Sequence, residues 1–212
     1  MTIKEKAVWK IFILACLWIV WCTLHSLLIS KQAHKIAERL LGENSGTYRV
    51  LYVLFSIITL VPVLLFQFSL QQQIVLESNI SIRLFQGALF IYGMVMFYLG
   101  SRVYNMRFFL GITQCHNARK NTKTATLPFH TDGVLAYVRH PWYSGGIAFI
   151  WGFGTISDIY LLTRIILTAY FIIGTVLEER RLVAELGDQY SSYRRKVPML
   201  LPWKLKKLSQ GN

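Results

Sequence analysis

The chain has 212 residues, of which 54% are hydrophobic and 16% carry a charge, and its mean hydropathy is +0.41. Because long uncharged runs recur, this composition is typical of membrane helices and argues against a soluble domain. Lys and Arg exceed Asp and Glu by 23 to 10, which gives a formal net charge of +13. The basic residues lie in loops beside apolar runs and in no known nucleic-acid motif. They therefore indicate membrane orientation and attraction to lipid headgroups, and we expect no nucleic-acid partner.

Five apolar runs follow one another, and four of them have the length of a transmembrane helix. The fourth run is short for a span, so we interpret the last two runs as a helical hairpin that turns at Ser157 and Asp158. The sequence predicts an all-α, polytopic integral membrane protein with about five transmembrane helices. Their predicted positions are residues 7–29, 50–68, 82–100, 142–156 and 159–178.

The connectors between the runs indicate segments that lie in the membrane interface. Residues 31–49 are polar and basic with a short apolar stripe, and residues 103–112 could continue the third helix. An amphipathic tail follows the hairpin and is interrupted near Gly187. Its apolar stripe consists of Leu182, Leu186, Tyr190 and Tyr193. Residues 197–203 are bounded by prolines and too short to span, so we expect them to tuck back against the membrane face.

The distribution of basic residues predicts the orientation of the chain. The loops after the first and third runs and the tail at 204–207 are basic, whereas the loops after the second and fourth runs are not. Since Lys and Arg collect on the cytoplasmic side, the C-terminal part is expected in the cytoplasm. Lys4, Lys6 and Lys10 favour the opposite side for the N-terminus, so the orientation of the first helix stays open.

Polar and ionisable residues collect at one predicted membrane edge, on both arms of the hairpin. Arg139, His140 and Tyr143 stand where its first helix begins, and its second helix returns to this edge at Glu178 and Glu179. Ionisable groups at membrane depth are costly, so they mark a candidate functional site. The alternative interpretation of the acid pair is an interfacial helix end with salt bridges.

Helical spacing places further residues on shared faces. Small residues on one face of the first hairpin helix would let another backbone or a cofactor approach closely. These are Gly145, Ala148 and Gly152. On the second helix, Tyr170, Gly174 and Glu178 share a face. His25, at the end of the first run, is either a structural histidine at the headgroup boundary or a pocket residue. We assign His25, Tyr170 and Gly174 to a substrate pocket.

The residue types at this edge exclude several chemistries. The chain has no Gly-rich phosphate loop, no HExxH motif and no nucleophile paired with a base, and its three cysteines lack zinc-ligand spacing. Covalent catalysis is therefore disfavoured, and we expect no metal site. Carboxylates and aromatic faces favour a sulfonium or ribose hydroxyls, and Arg favours a carboxylate. S-adenosylmethionine presents all of these groups.

The same residues carry a family resemblance. Residues 133–145 read GVLAYVRHPWYSG, and residues 177–202 read LEERRLVAELGDQYSSYRRKVPMLLP. In order and spacing, these segments resemble the signature of isoprenylcysteine carboxyl methyltransferases and their phospholipid methyltransferase relatives. LHSLLIS at 24–30, YRVLY at 48–52 and FFLGITQ at 108–114 resemble the bacterial branch that contains methanethiol S-methyltransferase and NnrU-like proteins.

The resemblance implies a membrane methyltransferase without a Rossmann fold, in the bacterial inner membrane and with its active site on the cytoplasmic side. Residues 1–212 would form a single domain, with a three-span scaffold at 1–100 and the cofactor-binding and catalytic part at 101–212. S-adenosylmethionine would be held by residues carried over from the family motif. These are Tyr137, Arg139, His140, Pro141, Tyr143, Glu178 and Glu179.

The implied reaction is direct transfer of a methyl group to a small or lipophilic acceptor, most simply a thiol, that enters from the bilayer side. Glu179 or His140 would accept the thiol proton, and Arg139 completes the predicted catalytic set. Lipid-linked carboxylates and phospholipid amines stay open as acceptors, and so does the oligomeric state.

Two other functions are compatible with parts of the sequence. Sterol and steroid reductases, which use NADPH, carry a similar RHP element, but this chain has Trp142 and Gly146 where they commonly have Asn and an acid. A non-enzymatic, NnrU-like membrane protein is the second alternative. His140, Glu178 and Glu179 argue against it, because ionisable groups in a membrane are costly without a role.

Overall fold

The computed structural model describes residues 3–120, 122 and 129–203, and helices dominate this part of the chain. The helices are α1 Ile3–Ile29, α2 Lys31–Leu41, α3 Tyr48–Ser69, α4 Ile80–Val103, α5 Met106–Phe109, α6 Ile112–Arg119, α7 Pro141–Gly152, α8 Asp158–Leu186 and α9 Asp188–Lys196. Short 3-10 helices cover Gly42–Thr47 and Gly133–Ala136. Two short strands, β1 Ile74–Leu76 and β2 Ile156–Ser157, pair in a two-stranded sheet.

Four segments within these helices are long and apolar enough to cross a membrane. They are Val8–Ile29, Ser45–Ser69, Ile80–Val103 and Asp158–Leu186. The prediction of an all-α polytopic membrane protein is confirmed. Helix α7 has 12 residues, which span about 18 Å at 1.5 Å per residue, so it is shorter than a bilayer core. The number of about five spans stays a prediction.

The chain divides into two compact units whose segments alternate along the sequence. The first unit contains Met1–Val75, Asn105–Leu127 and Ser157–Ile166. The second unit contains Leu76–Tyr104, Pro128–Ile156 and Leu167–Asn212. The single domain with parts at 1–100 and 101–212 stays a prediction. The basic tail at 204–207 and residues 121 and 123–128 of the long connector lie outside the described residues.

In the first unit, side-chain hydrogen bonds join α1 and α3 along their lengths. The Tyr48 hydroxyl donates to the Leu28 carbonyl at 2.7 Å, near the end of α1 and the start of α3. Further along, Trp18 Nε1 donates to Gln67 Oε1 at 2.9 Å, and the Thr163 hydroxyl donates to the same oxygen at 2.8 Å. The pairing of 48 with 28 and of 67 with 18 shows that α1 and α3 run antiparallel. Gln67 is buried and satisfied, as a polar side chain in an apolar span must be.

In the second unit, glycines bring α4 and α7 into backbone contact. A Cβ atom built on Gly93 would lie 2.9 Å from the carbonyl oxygen of Gly145, and one built on Gly145 would lie 2.9 Å from Met96 Cβ. Gly152 lies directly against the backbone of Phe90. Of the two interpretations of the small-residue face of α7, close approach of another backbone is therefore confirmed. This packing holds the start of α7, where the polar motif lies.

Three predicted helix boundaries are wrong. Of residues 103–112, only Val103 continues α4, because Tyr104 is extended and the Asn105 side chain caps α5 by accepting from the Phe108 amide at 3.0 Å. Helix α7 ends at Gly152 instead of 156, and Gly154 adopts a positive φ of 78° in the following turn. Helix α8 extends eight residues beyond Glu178 to Leu186. The residues after the acid pair are good helix formers, and Gly187, with φ of 56°, ends the helix.

Candidate active site

A buried ion pair lies at the centre of the second unit. Arg139 Nε donates to Glu179 Oε1 at 2.8 Å and Arg139 Nη2 donates to Glu179 Oε2 at 2.9 Å, which is the bidentate geometry of a strong charge-assisted pair. Arg139 comes two residues before α7, and Glu179 lies on α8 because that helix continues past its predicted end. Both side chains are less than 10% exposed. The alternative of an exposed, interfacial salt bridge therefore does not describe Glu179.

Two further donors complete the environment of Glu179. Oε1 of Glu179 also accepts from the Tyr190 hydroxyl at 2.6 Å and contacts His140 Nε2 at 2.8 Å. A carboxylate paired with a guanidinium only accepts hydrogen bonds, so His140 Nε2 is the donor in this contact. Four donors thus converge on one carboxylate. Oε1 accepts three of these hydrogen bonds and Oε2 accepts one, and the Nδ1 atom of His140 faces the other acid, with Glu178 Oε2 at 4.0 Å.

The last turn of α9 and the segment after it accept hydrogen bonds from the same motif. Arg139 Nη1 donates to the carbonyl oxygens of Arg194, at 2.8 Å, and of Val197. The backbone amide of Arg139 donates to the Pro198 carbonyl at 3.0 Å, and that of His140 donates to the Met199 carbonyl at 3.1 Å. Residues 197–203 were expected to tuck against the membrane face. At least residues 197–199 instead supply acceptors to the RHP motif.

An aromatic cluster supports this arrangement from the side of α9. Tyr190, Tyr193 and Phe129 pack together with ring centroids 5.5–5.8 Å apart, and Val197 belongs to the same buried cluster. The Tyr193 hydroxyl donates to the Leu135 carbonyl at 2.6 Å. Burial raises the pKa of the Tyr190 phenol, and its hydrogen bond to the Glu179 carboxylate and the negative charge there raise that pKa further. Tyr190 therefore remains a neutral donor to Glu179 at neutral pH.

Glu178 has a different environment from its neighbour in sequence. Its side chain is 32% exposed, against 7% for Glu179. The Tyr143 phenol lies near the Glu178 carboxylate. The pKa of Tyr104, just after α4, is raised mainly by burial and additionally by the negative charge of Glu178. An accessible carboxylate thus stands among phenol rings, an arrangement whose charge and aromatic faces fit a cation such as a sulfonium.

The ring of Tyr143 connects the acid pair to the predicted substrate face of α8. It lies edge-to-face against His140 at 5.8 Å and against Phe171 at 6.1 Å. A Cβ on Gly174 would lie 3.4 Å from the ring, at ordinary van der Waals contact, so Gly174 borders Tyr143 directly. Tyr170 packs against Phe171 at 6.0 Å. The predicted face of Tyr170, Gly174 and Glu178 therefore contacts the aromatic part of the motif.

The structure brings most of the predicted site residues into one cluster of the second unit. These are Arg139, His140, Tyr143, Gly174, Glu178 and Glu179. Pro141 is buried at the first position of α7, with His140 as the N-cap, as its sequence position predicts. Tyr137 is half-buried at the end of the 3-10 helix Gly133–Ala136. Among the residues that the structure describes, no group of three or more His, Cys, Asp or Glu is placed to hold a metal ion.

His25 belongs to the first unit, where it lines a cavity between α1 and α3. Its ring stacks on Trp21 with centroids 5.1 Å apart. Its Nε2 atom is 2.8 Å from the Tyr52 hydroxyl, and its Nδ1 atom is 3.2 Å from the Ser56 hydroxyl. His25 is thus hydrogen-bonded and lines a cavity of the first unit, whereas Tyr170 and Gly174 belong to the second unit. The assignment of these three residues to one substrate pocket stays a prediction.

Sequence reasoning missed two parts of the site. The sequence pattern places Tyr190 only in an apolar stripe. A phenol in such a stripe also carries a hydroxyl that needs a hydrogen-bond partner when it is buried. The carbonyl acceptors at 194–199 carry no side-chain signal. The proline at 198 was the one available indication, because a segment bounded by prolines leaves its carbonyls without helical partners.

No protein-family model matches the chain, and no solved structure matches it. Curated relatives do. The chain is 30% identical over 179 residues to the methanethiol S-methyltransferase of Crocosphaera subtropica, which covers 84% of this chain and 69% of the relative. It is 37% identical over 93 residues to the methanethiol S-methyltransferase of Mycobacterium tuberculosis, covering 44% and 38%. It is 43% identical over 77 residues to the protein-S-isoprenylcysteine O-methyltransferase of Schizosaccharomyces pombe, covering 34% and 32%.

These relatives, the membrane helices and the RHP motif define the class as integral membrane methyltransferases of the isoprenylcysteine methyltransferase type. Within that class, the chain belongs to the bacterial family of the methanethiol S-methyltransferases. The family resemblance seen in the sequence is confirmed, and the protein is a methyltransferase. The likeness to NnrU-like proteins stays a prediction.

Proposed function

We propose that this protein transfers a methyl group from S-adenosylmethionine to a small or lipophilic thiol. The observation that carries the proposal is the partly exposed Glu178 carboxylate, which stands among phenol rings beside a buried and fully paired Arg139–Glu179 ion pair. Relatives named methanethiol S-methyltransferase support a thiol acceptor, whereas the relative named for isoprenylcysteine is an O-methyltransferase.

The residues around Glu178 fit the methyl donor. The carboxylate of Glu178 would interact with positive charge or with ribose hydroxyls, and Tyr143 and Tyr104 would provide aromatic surface. When bound, S-adenosylmethionine supplies a methyl group on a positively charged sulfur atom, which is open to attack by a thiolate. Pro141 and Tyr137 fix the backbone on either side of Arg139 and His140, so they act on the site through its geometry.

The roles within the catalytic set follow from the hydrogen bonds. Glu179 accepts four of them and is buried, so it serves to position Arg139 and His140 and does not accept a further proton. His140 keeps its Nε2 proton toward Glu179, which leaves Nδ1 as the atom that can accept the proton of an arriving thiol. We therefore assign the base to His140 Nδ1. The buried, preformed site contributes mainly by aligning the methyl donor and the acceptor, and not by covalent chemistry.

The position of the site in the cell is part of the same proposal. The basic connectors after the first and third predicted spans support a bacterial inner-membrane protein whose active-site edge faces the cytoplasm. S-adenosylmethionine would then reach the site from the water side, and a lipophilic thiol would reach it from the bilayer.

Binding measurements on the purified full chain test the cofactor assignment. We expect Glu178→Gln to weaken binding of S-adenosylmethionine at least tenfold in calorimetry, and to weaken binding of S-adenosylhomocysteine much less, because that product carries no charge on sulfur. Glu185→Gln removes an acid from the same helix and should change neither affinity. Binding of NADPH without binding of S-adenosylmethionine would contradict the proposal and favour the reductase alternative.

The base assignment has its own test. His140→Gln keeps a donor toward Glu179 and removes the base, so it should lower kcat for an alkyl thiol at least tenfold at pH 7 with little change in cofactor affinity. A thiol of low pKa, which is already ionised at pH 7, should be methylated at close to the parent rate. Equal losses for both thiols would show that His140 positions the acceptor or the cofactor and is not the base.

A further inference from the structure

A cavity of about 270 Å³ lies in the groove between α1 and α3 of the first unit. It follows α3 from Arg49 to Leu60, which is about 16 Å at 1.5 Å of rise per residue. On α1 the cavity is lined by one residue on each of three successive turns, namely Trp21, His25 and Ile29. The cavity is thus elongated, and it extends from the first turn of α3 into the apolar part of the span.

The two ends of this groove differ in chemistry. Its inner end is lined by aliphatic side chains, among them Val53, Ile57 and Leu60. Its outer end carries the guanidinium of Arg49, which donates from Nε to the Phe109 carbonyl at 2.6 Å and lies over the Phe109 ring at 5.5 Å. These contacts fix a positive charge at one end of an apolar slot.

The polar atoms along the wall of the groove contact one another. His25 is hydrogen-bonded with Tyr52 and Ser56, and Trp21 Nε1 donates to the Ser56 carbonyl at 3.2 Å. Because these donors and acceptors have partners within the protein, the wall offers a ligand mainly apolar and aromatic surface. The groove therefore suits a hydrocarbon chain.

Positive charge continues beyond the outer end. Helix α2 begins two residues after Ile29, and its Lys31, Lys35 and Arg39 are exposed. Its Ile36 and Leu40 are exposed as well, at 55% and 79%, as in a helix that lies in the membrane interface. A ligand with its chain in the groove would thus have its head beside Arg49 and near a basic helix.

We propose that the groove between α1 and α3 binds one acyl chain of an anionic phospholipid, whose phosphate pairs with Arg49. Charge complementarity selects the headgroup, because guanidinium groups bind phosphate strongly. The cavity volume is at the lower limit of small-molecule pockets, so it accommodates a single chain and not a whole lipid. This lipid site does not depend on the proposed methyl transfer.

Native mass spectrometry of the full chain in mild detergent tests the proposal, with phosphatidylglycerol and phosphatidylcholine as probes. We expect the parent to retain phosphatidylglycerol, and Arg49→Gln to retain at least tenfold less. Arg49→Lys, which keeps the charge, should restore most of the binding. Arg83→Gln is the matched control, because Arg83 is an exposed arginine in the first turn of α4.

A second pair of variants tests the acyl chain independently of charge. Val53→Trp fills the groove and should abolish retention of phosphatidylglycerol. Ile58→Trp adds the same side chain at a position of α3 that is 67% exposed and outside the cavity lining, so it should bind like the parent. Thermal unfolding of all variants checks that they are folded.

Three results would overturn the proposal. Equal retention of the two lipids by the parent would contradict the selection of an anionic headgroup, because phosphatidylcholine also carries a phosphate but has no net charge. Parent-like binding by Arg49→Gln or by Val53→Trp would place the lipid elsewhere. Binding of an alkyl thiol, with no binding of phosphatidylglycerol, would identify the groove as a thiol site. None of these results depends on cofactor binding, so they test the lipid site independently of the proposed methyl transfer.

Discussion

The two units of this protein pack their helices by different means. In the second unit, Gly93, Gly145 and Gly152 let α4 and α7 meet backbone to backbone, and the buried charges of Arg139 and Glu179 are fully paired. In the first unit, large side chains join α1 and α3 through neutral hydrogen bonds, and a cavity remains between the helices. Small residues thus close an interface and fix a motif, whereas aromatic residues leave room for a ligand.

The comparison extends to the energy of the buried polar groups. An unpaired charge in an apolar interior costs several kcal/mol, so an ion pair is tolerated only when its remaining lone pairs and protons are satisfied. Neutral hydrogen bonds between membrane helices are worth about 0.6 kcal/mol on average. We therefore expect the second unit to be far more sensitive than the first to loss of one polar partner.

The largest expected effect is that of Arg139→Met. It leaves the Glu179 carboxylate buried without its counter-ion, which should lower the free energy of unfolding by about 3–5 kcal/mol and abolish methyl transfer. Denaturant titration of the detergent-solubilised protein measures the first effect. Arg181→Met is the control, because Arg181 is 48% exposed and faces Glu185 at 3.8 Å on the surface of α8. Similar losses of unfolding free energy for both variants would show that the buried ion pair contributes no more to stability than the exposed one.

Tyr190→Phe should lower the free energy of unfolding by about 1.5–3 kcal/mol, because it removes a hydrogen bond to a charged group. The pKa of Tyr190 is raised in the folded protein, so its contribution is fully present below the unfolded pKa of about 10 and is lost as pH rises through the higher folded value. The stability difference between parent and variant should therefore be constant up to about pH 10 and shrink above it. A difference that grows in alkali would contradict the donor role.

Gly152→Ala should cost about 1–3 kcal/mol, because its Cβ has no space beside the backbone of Phe90. Gly87→Ala is the matched control on α4, where an added Cβ meets nothing within 4 Å. The control should gain up to about 1 kcal/mol from its higher helix propensity. Thermal unfolding compares the two variants. A neutral Gly152→Ala would mean that backbone contact is not what holds α7.

The smallest effect is expected in the first unit. Gln67→Leu removes the acceptor of Trp18 and Thr163 and replaces it with an apolar residue of similar size. The expected loss is about 0.6–1.7 kcal/mol in the free energy of unfolding, by the same denaturant titration. A loss of unfolding free energy as large as that of Arg139→Met would contradict the expected difference between neutral and charged hydrogen-bond networks.

Helix positions and the identity of the motif could be predicted from the sequence, because both rest on local signals. Runs of uncharged residues predict α1, α3 and α4, and Pro141 marks the start of α7. The end of α8 was placed eight residues early because acids after an apolar run resemble a membrane boundary. The helix continues since its sequence favours helix up to Gly187. Charge alone does not end a helix.

The difference between Glu178 and Glu179 could not be predicted, because it depends on partners distant in sequence. Adjacent residues on a helix point about 100° apart, so one meets Arg139, 40 positions away, while the other stays accessible. The sequence motif contains both acids and does not distinguish them, and it leaves either Glu179 or His140 as the base. Only the donors around Glu179 separate their proposed roles.

The hydrogen bonds from Arg139 and His140 to the carbonyls at 194–199 have a consequence for biogenesis. During synthesis, the RHP motif leaves the ribosome before residues 194–199, because these residues come later in the chain. Until they follow, a guanidinium and two backbone amides have no acceptors from that segment. The motif is therefore completed in one of the last steps of assembly. Chains that stop before this segment should therefore keep these donors without their acceptors at 194–199.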